Sequence, residues 1–246
     1  MEPGEYRRMF ELEDRYWWFL AKRKLIQMLI EEHVEAWPPS LAVDVGCGTG
    51  GILSTLSAAG GKWIGTDRSE LALSFCRQRG LPWLVQATAE SIPVESGRAD
   101  LLLCLDVLYH RNVGDEMRVL SECFRVMAPD GLAVIIDSAL DWLRGPHDEA
   151  VHTRRRYQLG EFADMIERAG FEVLKRTYAN SLIFVPTVTH RLTRRLFPGT
   201  GAHSDIVDVS PGVDRVLSSV QACERWLLRR MSMPIGTTVV VVARKP

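Results

Sequence analysis

At 246 residues, 46% of them hydrophobic and 25% charged, the chain can bury a substantial core as one generous domain, or as a domain with a cap. Its formal charge of −1 lacks the electrostatic footprint of non-specific nucleic-acid binding, and Arg154–Arg156 and Arg191/Arg194/Arg195 are only local basic spots. The five dispersed cysteines form no C-x-x-C pair, the N-terminus has no apolar signal core and the apolar runs are too short to span a bilayer; the expectation is a reducing cytoplasm, no metal and no membrane partner.

From residue 5 to about 36 the apolar positions recur at helical spacing, until Trp37-Pro38-Pro39-Ser40 breaks the pattern. Short apolar runs then alternate with helical stretches. Strands are expected at 41–45, 62–66, 83–87, 99–105 and 131–137, with helices near 50–59, 69–79 and 115–127. Such alternation calls for parallel pairing through right-handed crossovers, hence an α/β, Rossmann-like doubly wound sheet. A helix over 161–169 closed by Gly170, a strand over 171–178 and a final strand over 237–243 bring the sheet to seven strands, mostly parallel with the last antiparallel. Both late strands read as edge strands. Between them, Val213, Val216, Leu217, Val220, Leu227 and Met231 follow the period of an amphipathic helix whose apolar face must be buried. The expected plan is one domain: an N-terminal helical lid (1–39), the core (40–178), a helical cap insertion (179–236) and the last strand (237–246). The cap would cover an acceptor cleft or form a homodimer surface beside it.

The loop Gly46-Cys47-Gly48-Thr49-Gly50-Gly51 falls where the first strand meets the first core helix. Glycines there let the backbone turn sharply and approach a ligand. The spacing alone also fits a dinucleotide. Charge separates the two readings. Asp44 would sit beside a diphosphate and repel it, whereas S-adenosylmethionine carries a sulfonium and an ammonium against one carboxylate. Asp67, ending the second strand, is placed to grip ribose hydroxyls, and Asp106 follows the fourth strand at the same sheet edge.

These residues resemble the class I S-adenosylmethionine-dependent methyltransferases. The likeness is carried by Val43-Asp44-Val45-Gly46-Cys47-Gly48-Thr49-Gly50, Asp67, Ala89-Glu90-Ser91-Ile92-Pro93, the stretch 99–110 and Arg125-Val126-Met127-Ala128-Pro129-Asp130-Gly131, and covers roughly 41–138. It implies that Gly46, Cys47, Gly48 and Gly50 line the methionine and ribose portion and that Asp67, followed by Arg68, holds the ribose. Thr88 and Ala89 would flank the adenine, with threonine where relatives often carry an acid. Leu105 and Asp106 would face the methionine amine. The flanks, Tyr16-Trp17-Trp18-Phe19 with Lys22-Arg23, Asp141-Trp142-Leu143, Arg155-Arg156-Tyr157 and Pro234-Ile235-Gly236-Thr237, are similar to bacterial methyltransferases of glycan and secondary-metabolite pathways.

The expected activity is methyl transfer to a small-molecule acceptor, at oxygen rather than nitrogen or carbon. A hydroxyl nucleophile needs a proton acceptor, for which His110 and His147 are the candidates; His152 reads as an exposed loop residue. Trp17 is expected in the core. Tyr16 and Trp18 are lid candidates near the sulfonium, and Arg23 a partner for the methionine carboxylate. The competing readings are a cofactor-binding scaffold or cyclase-like enzyme on the same fold, and an NAD-type oxidoreductase, which Asp44 disfavours.

Overall fold

Pro3, whose fixed φ suits the first helical position, opens α1 (Pro3–Leu12), and α2 (Trp17–His33) follows after a four-residue turn. The continuous helical period over 5–36 is thus two helices. The break falls where Glu13 turns inward and accepts a hydrogen bond from Thr49 Oγ1 at 2.6 Å and another from Arg79 Nη2 at 2.7 Å. In this computed structural model residues 1–196 and 210–246 are described, without the side chains of 146, 147 and 194–196. The core then alternates: β1 (Leu41–Val45), α3 (Gly51–Ser57), β2 (Lys62–Asp67), α4 (Glu70–Gln78), β3 (Leu84–Gln86), β4 (Ala99–Leu105), α5 (Glu116–Val126) and β5 (Met127–Ser138). It continues through α6 (Pro146–Ala150), α7 (Leu159–Arg168), β6 (Glu172–Ala179), α8 (Phe184–Leu196), α9 (Pro211–Leu228) and β7 (Thr238–Arg244). Side-chain caps fix two of the helix starts: Ser69 Oγ accepts from the Ala72 amide, and Asp115 from those of Met117 and Arg118.

The strands form one seven-stranded sheet in the order β3-β2-β1-β4-β5-β7-β6. β1 to β5 pair in parallel, and β7 runs antiparallel to both of its neighbours. One expectation is corrected here: β7 is interior, and β6 alone forms that edge. Val239 to Val242 are buried on both faces, and an unbroken β-branched run suits an interior strand better than an edge. Successive residues along β4 and β5 alternate between two apolar clusters, one per face of the sheet. Helices α2, α3 and α9 cover one face; α5 and α7 cover the other. Strand order reverses between β1 and β4, the switch point at which open α/β sheets bind ligands beyond their carboxyl ends.

Both insertion helices lie between β6 and β7, and α9 packs along α2. Its buried face, however, is Gln221, Glu224 and Leu228, while Val213, Val216 and Met231 stay 48%, 62% and 52% exposed. Polar side chains win that face because they have internal work. Glu224 Oε2 accepts from the Leu182 amide at 2.9 Å ahead of α8, and Gln221 Nε2 donates to Asn180 Oδ1 at 3.1 Å. Among the described residues, no helix is long and apolar enough to cross a membrane.

Candidate active site

At the β1–α3 turn the Gly46 and Cys47 amides both donate to Thr66 O, at 2.8 and 2.9 Å, and the Gly48 amide donates to Asp67 Oδ2 at 3.0 Å. Gly46 has φ +71°, and a side chain there would meet Val107 Cγ2 at 2.6 Å, so the close passage of the loop beneath the 106–110 segment requires glycine. Gly48, at φ +57°, lies under Met9 of α1. Gly50 departs from its expected place. It caps α3 and packs toward Cys76 and Leu81, off the cavity wall, where it shapes the turn.

Over this loop opens a cavity of about 630 Å³, the size of a cofactor or ligand pocket. Its floor is the carboxyl edge of β1, β2 and β4, and α1, α2 and α8 supply the walls. Asp44, Gly46, Cys47, Gly48, Asp67, Arg68, Thr88, Ala89, Leu105, Asp106 and His110 all line it, as do Tyr16, Trp18 and Arg23 from the N-terminal segment. Trp17 is buried, as expected, and also reaches the wall.

Carboxylates dominate the electrostatics. Asp44 is buried, and desolvation, helped by the charge of Asp67, pushes its pKa up to about 7. Asp67 accepts from the Gly48 amide and, through Oδ1, from the Ser69 amide at 2.8 Å; burial raises its pKa too. Each oxygen has a second lone pair, which leaves acceptor capacity for a diol. Asp106, in the left-handed region at φ +57°, is anchored by its amide to Ile136 O at 2.8 Å. Fully buried Asp137 accepts from the Tyr109 and Ser138 amides at 3.1 and 2.8 Å, which ties the 106–110 segment to β5.

Lys22 meets this acid cluster, ion-paired with Asp106 and 5.5 Å from the Trp18 ring one helical turn earlier. Sequence reasoning passed over it in favour of Arg23. Arg23 lines the same cavity, and its Nη2 donates to Glu13 O at 3.0 Å and Asp14 Oδ1 at 2.9 Å, bracing the α1–α2 turn. Glu13 was also missed, its signal being an acid inside an otherwise apolar helical period.

His110 is a poor proton acceptor. Burial, then the nearby amino-terminal charge, lowers its pKa to about 4. Its Nδ1 accepts from the Asn112 amide at 3.1 Å, and its Nε2 lies 3.1 Å from the amino-terminal nitrogen of Met1. The side chain of His147 lies outside the described residues. His152 is off the cavity wall and pairs with Glu2 at 2.6 Å. Asp148 closes onto Arg156 through both oxygens, at 2.8 and 3.1 Å.

This donor set suits a ligand with positive charge and a diol. It suits a diphosphate poorly: the loop amides that would cradle phosphate are engaged by Thr66 O and Asp67, and two buried carboxylates adjoin them. Comparison with known proteins agrees. A family model described as a methyltransferase domain matches residues 43–135. A ubiquinone biosynthesis O-methyltransferase of Ralstonia nicotianae is 31% identical over 202 residues, 70% of this chain and 82% of that protein. Matches to five other curated relatives span 39 to 64% of those proteins' lengths. Among solved structures, a SAM-dependent methyltransferase from Thermotoga maritima superposes with a TM-score of 0.62 at 18% identity, covering 99% of this chain and 96% of that one. The [4+2]-cyclase SpnF superposes at 0.61 and 19% identity, covering 94% and 83%. At such identities the two structures establish the shared fold alone.

Proposed function

Since the chain belongs to the class I S-adenosylmethionine-dependent methyltransferases, we propose that it transfers the methyl group of that cofactor to a small-molecule acceptor, at oxygen. The observation that carries this reading is the placement of Asp44, Asp67 and Asp106 at the carboxyl ends of β1, β2 and β4 around one cavity. When bound there, S-adenosylmethionine supplies an electrophilic methyl group on a sulfonium. Asp67 would hold the ribose hydroxyls, with Arg68 beside it, while Thr88 and Ala89 border the adenine. Asp106 and Leu105 would meet the methionine amine, and Asp44 would set the field beneath the loop. The remaining task of the protein is to align acceptor and methyl group and to exclude water. Tyr16 and Trp18, on helices braced by Arg23 and Glu13, are positioned for the second role.

The choice of oxygen rests on the likeness to the O-methyltransferase of Ralstonia nicotianae. A phenol or enol is the acceptor that asks least of the protein, since its hydroxyl ionises without a strong base. The test supplies methyl-labelled S-adenosylmethionine with matched phenol and aniline acceptors and follows products by mass spectrometry. One methyl group should appear on phenolic oxygen. Methylation of the anilines alone would overturn O-transfer, and binding of the cofactor without any transfer would leave a scaffold.

A further inference from the structure

The stretch that follows β4, residues 106–110, carries three polar side chains, and the protein itself engages two of them. Asp106 pairs with Lys22, and the ring nitrogens of His110 meet the Asn112 amide and the amino-terminal nitrogen. Tyr109 lies between. Its backbone is held from both sides: the amide donates to Asp137 Oδ2 at 3.1 Å, and the carbonyl accepts from the Arg154 amide at 2.7 Å. The side chain is 6% exposed and lines the cavity. Among the described residues nothing hydrogen-bonds to its hydroxyl. Other tyrosines differ: Tyr157 donates to Leu108 O, the Tyr178 oxygen accepts from the Leu159 amide, and Tyr6 hydrogen-bonds with Ser69.

Burial, with the charges of Asp106, Asp137 and Asp148 and against that of Arg156, pushes the phenol well above its ordinary pKa of 10. Tyr109 therefore keeps its proton and serves as a donor. Asp106, Asp148 and Arg156 line the cavity too, so the hydroxyl stands in the field of the end proposed for the methionine amine and of the Asp148–Arg156 pair. Asp44 and Asp67, by contrast, lie at the carboxyl ends of β1 and β2, on the cofactor side. Among the described residues seven carboxylates line the cavity, and an ionised carboxylate only accepts. An oxygen nucleophile needs a donor in such a setting, and a neutral phenol supplies one without adding charge.

We infer that Tyr109 seats the methyl acceptor, its hydroxyl donating a hydrogen bond to the oxygen that is methylated. The inference rests on the methyltransferase reading and adds to it a residue that places an oxygen nucleophile. The acceptor hydroxyl releases its own proton to solvent. An oxygen lone pair then forms the O–CH3 bond as the S–CH3 bond breaks, the bonding pair stays on the departing thioether sulfur, and Tyr109 keeps its proton. Such a donor holds ground state and transition state alike, so its loss is felt in KM more than in kcat.

The test compares the full wild-type chain with Tyr109→Phe, which removes the hydroxyl and keeps the ring, both saturated with adenosylhomocysteine. The probes are 2-naphthol and naphthalene. In fluorescence titration the wild-type protein should bind 2-naphthol at least about threefold tighter than naphthalene. In Tyr109→Phe, 2-naphthol should weaken by about threefold to tenfold, the worth of one hydrogen bond between neutral groups, while naphthalene and adenosylhomocysteine stay within about twofold. Turnover of 2-naphthol to 2-methoxynaphthalene should show the same rise in KM, with kcat within about threefold. Because the hydroxyl has no partner among the described residues, the ligand-free variant should melt at or above the wild-type temperature. Equal wild-type affinity for the two probes, a preference that survives Tyr109→Phe, or no 2-methoxynaphthalene would overturn the proposal. So would a variant that melts lower or does not fold, since the hydroxyl would then be holding the structure. Adenosylhomocysteine is titrated first, so failure of the cofactor reading is seen separately from failure at the acceptor.

Discussion

Asp44 shows how burial converts a carboxylate into a sensor of ligand charge. In the unliganded protein its pKa is about 7, against an ordinary 3.8, because desolvation penalises the ionised form. The residue is already buried, so a cofactor adds cationic charge without adding desolvation. Binding should therefore expel a proton, and affinity for S-adenosylmethionine should rise between about pH 6 and pH 8 before levelling. The stability of the unliganded chain should move the other way. A folded pKa raised above the unfolded value means the native state holds more protons, so this contribution is present at acid pH and is lost as pH climbs from about 4 through 7. Calorimetry in buffers of different ionisation enthalpy, with thermal melts across that range, measures both; Asp44→Asn should flatten both slopes. Proton uptake on binding would contradict the assignment. His110 gives a second test. Loss of a true general base costs about 10²–10⁴ in rate, whereas His110→Gln should cost less than about tenfold in kcat. At this scale the acids were legible, because short apolar runs mark where strands end and Asp44, Asp67 and Asp106 sit at or beside those ends. Lys22 was not. It differs from Arg23 by one position, about 100° of helix rotation, and sequence does not reveal which of two adjacent cations turns inward until the helix is docked.

At the scale of elements, local pattern located helices and strands well but not the partners of their faces. The break between α1 and α2 escaped notice because apolar spacing continues through it, and its cause is a distant contact from Glu13 to Thr49 and Arg79. β7 read as an edge because it comes last in the chain, though four consecutive valines already suited an interior strand. For α9 the apolar stripe indicated one face and tertiary hydrogen bonds selected another. Glu224, 1% exposed, gives α8 an acceptor for the Leu182 amide. Glu224→Ala leaves that amide without its carboxylate partner and should lower unfolding stability by about 1–3 kcal/mol, read by urea titration. It should also weaken acceptor binding more than cofactor binding. A neutral outcome in both would mean that α8 does not depend on this anchor.

For the whole molecule, the reversal of strand order between β1 and β4 fixes where a ligand can enter, and the two added helical segments fix what can follow it there. The sheet edge supplies the acids, one of which, Asp106, pairs with Lys22 of the N-terminal segment. The lid side contributes Lys22, Tyr16 and Trp18 to the cavity wall, and the insertion contributes Pro186, Thr187, His190 and Arg191 of α8. Cofactor recognition is the claim on which the proposed function depends. Calorimetric titration of the full chain with adenosylhomocysteine, in parallel with NADH and repeated on Asp67→Ala, tests it most directly. One site for adenosylhomocysteine, no saturable heat with NADH and at least a tenfold loss of affinity in the variant are the expected results. Binding of NADH in place of adenosylhomocysteine, or an Asp67→Ala protein that binds as the wild type does, would contradict it.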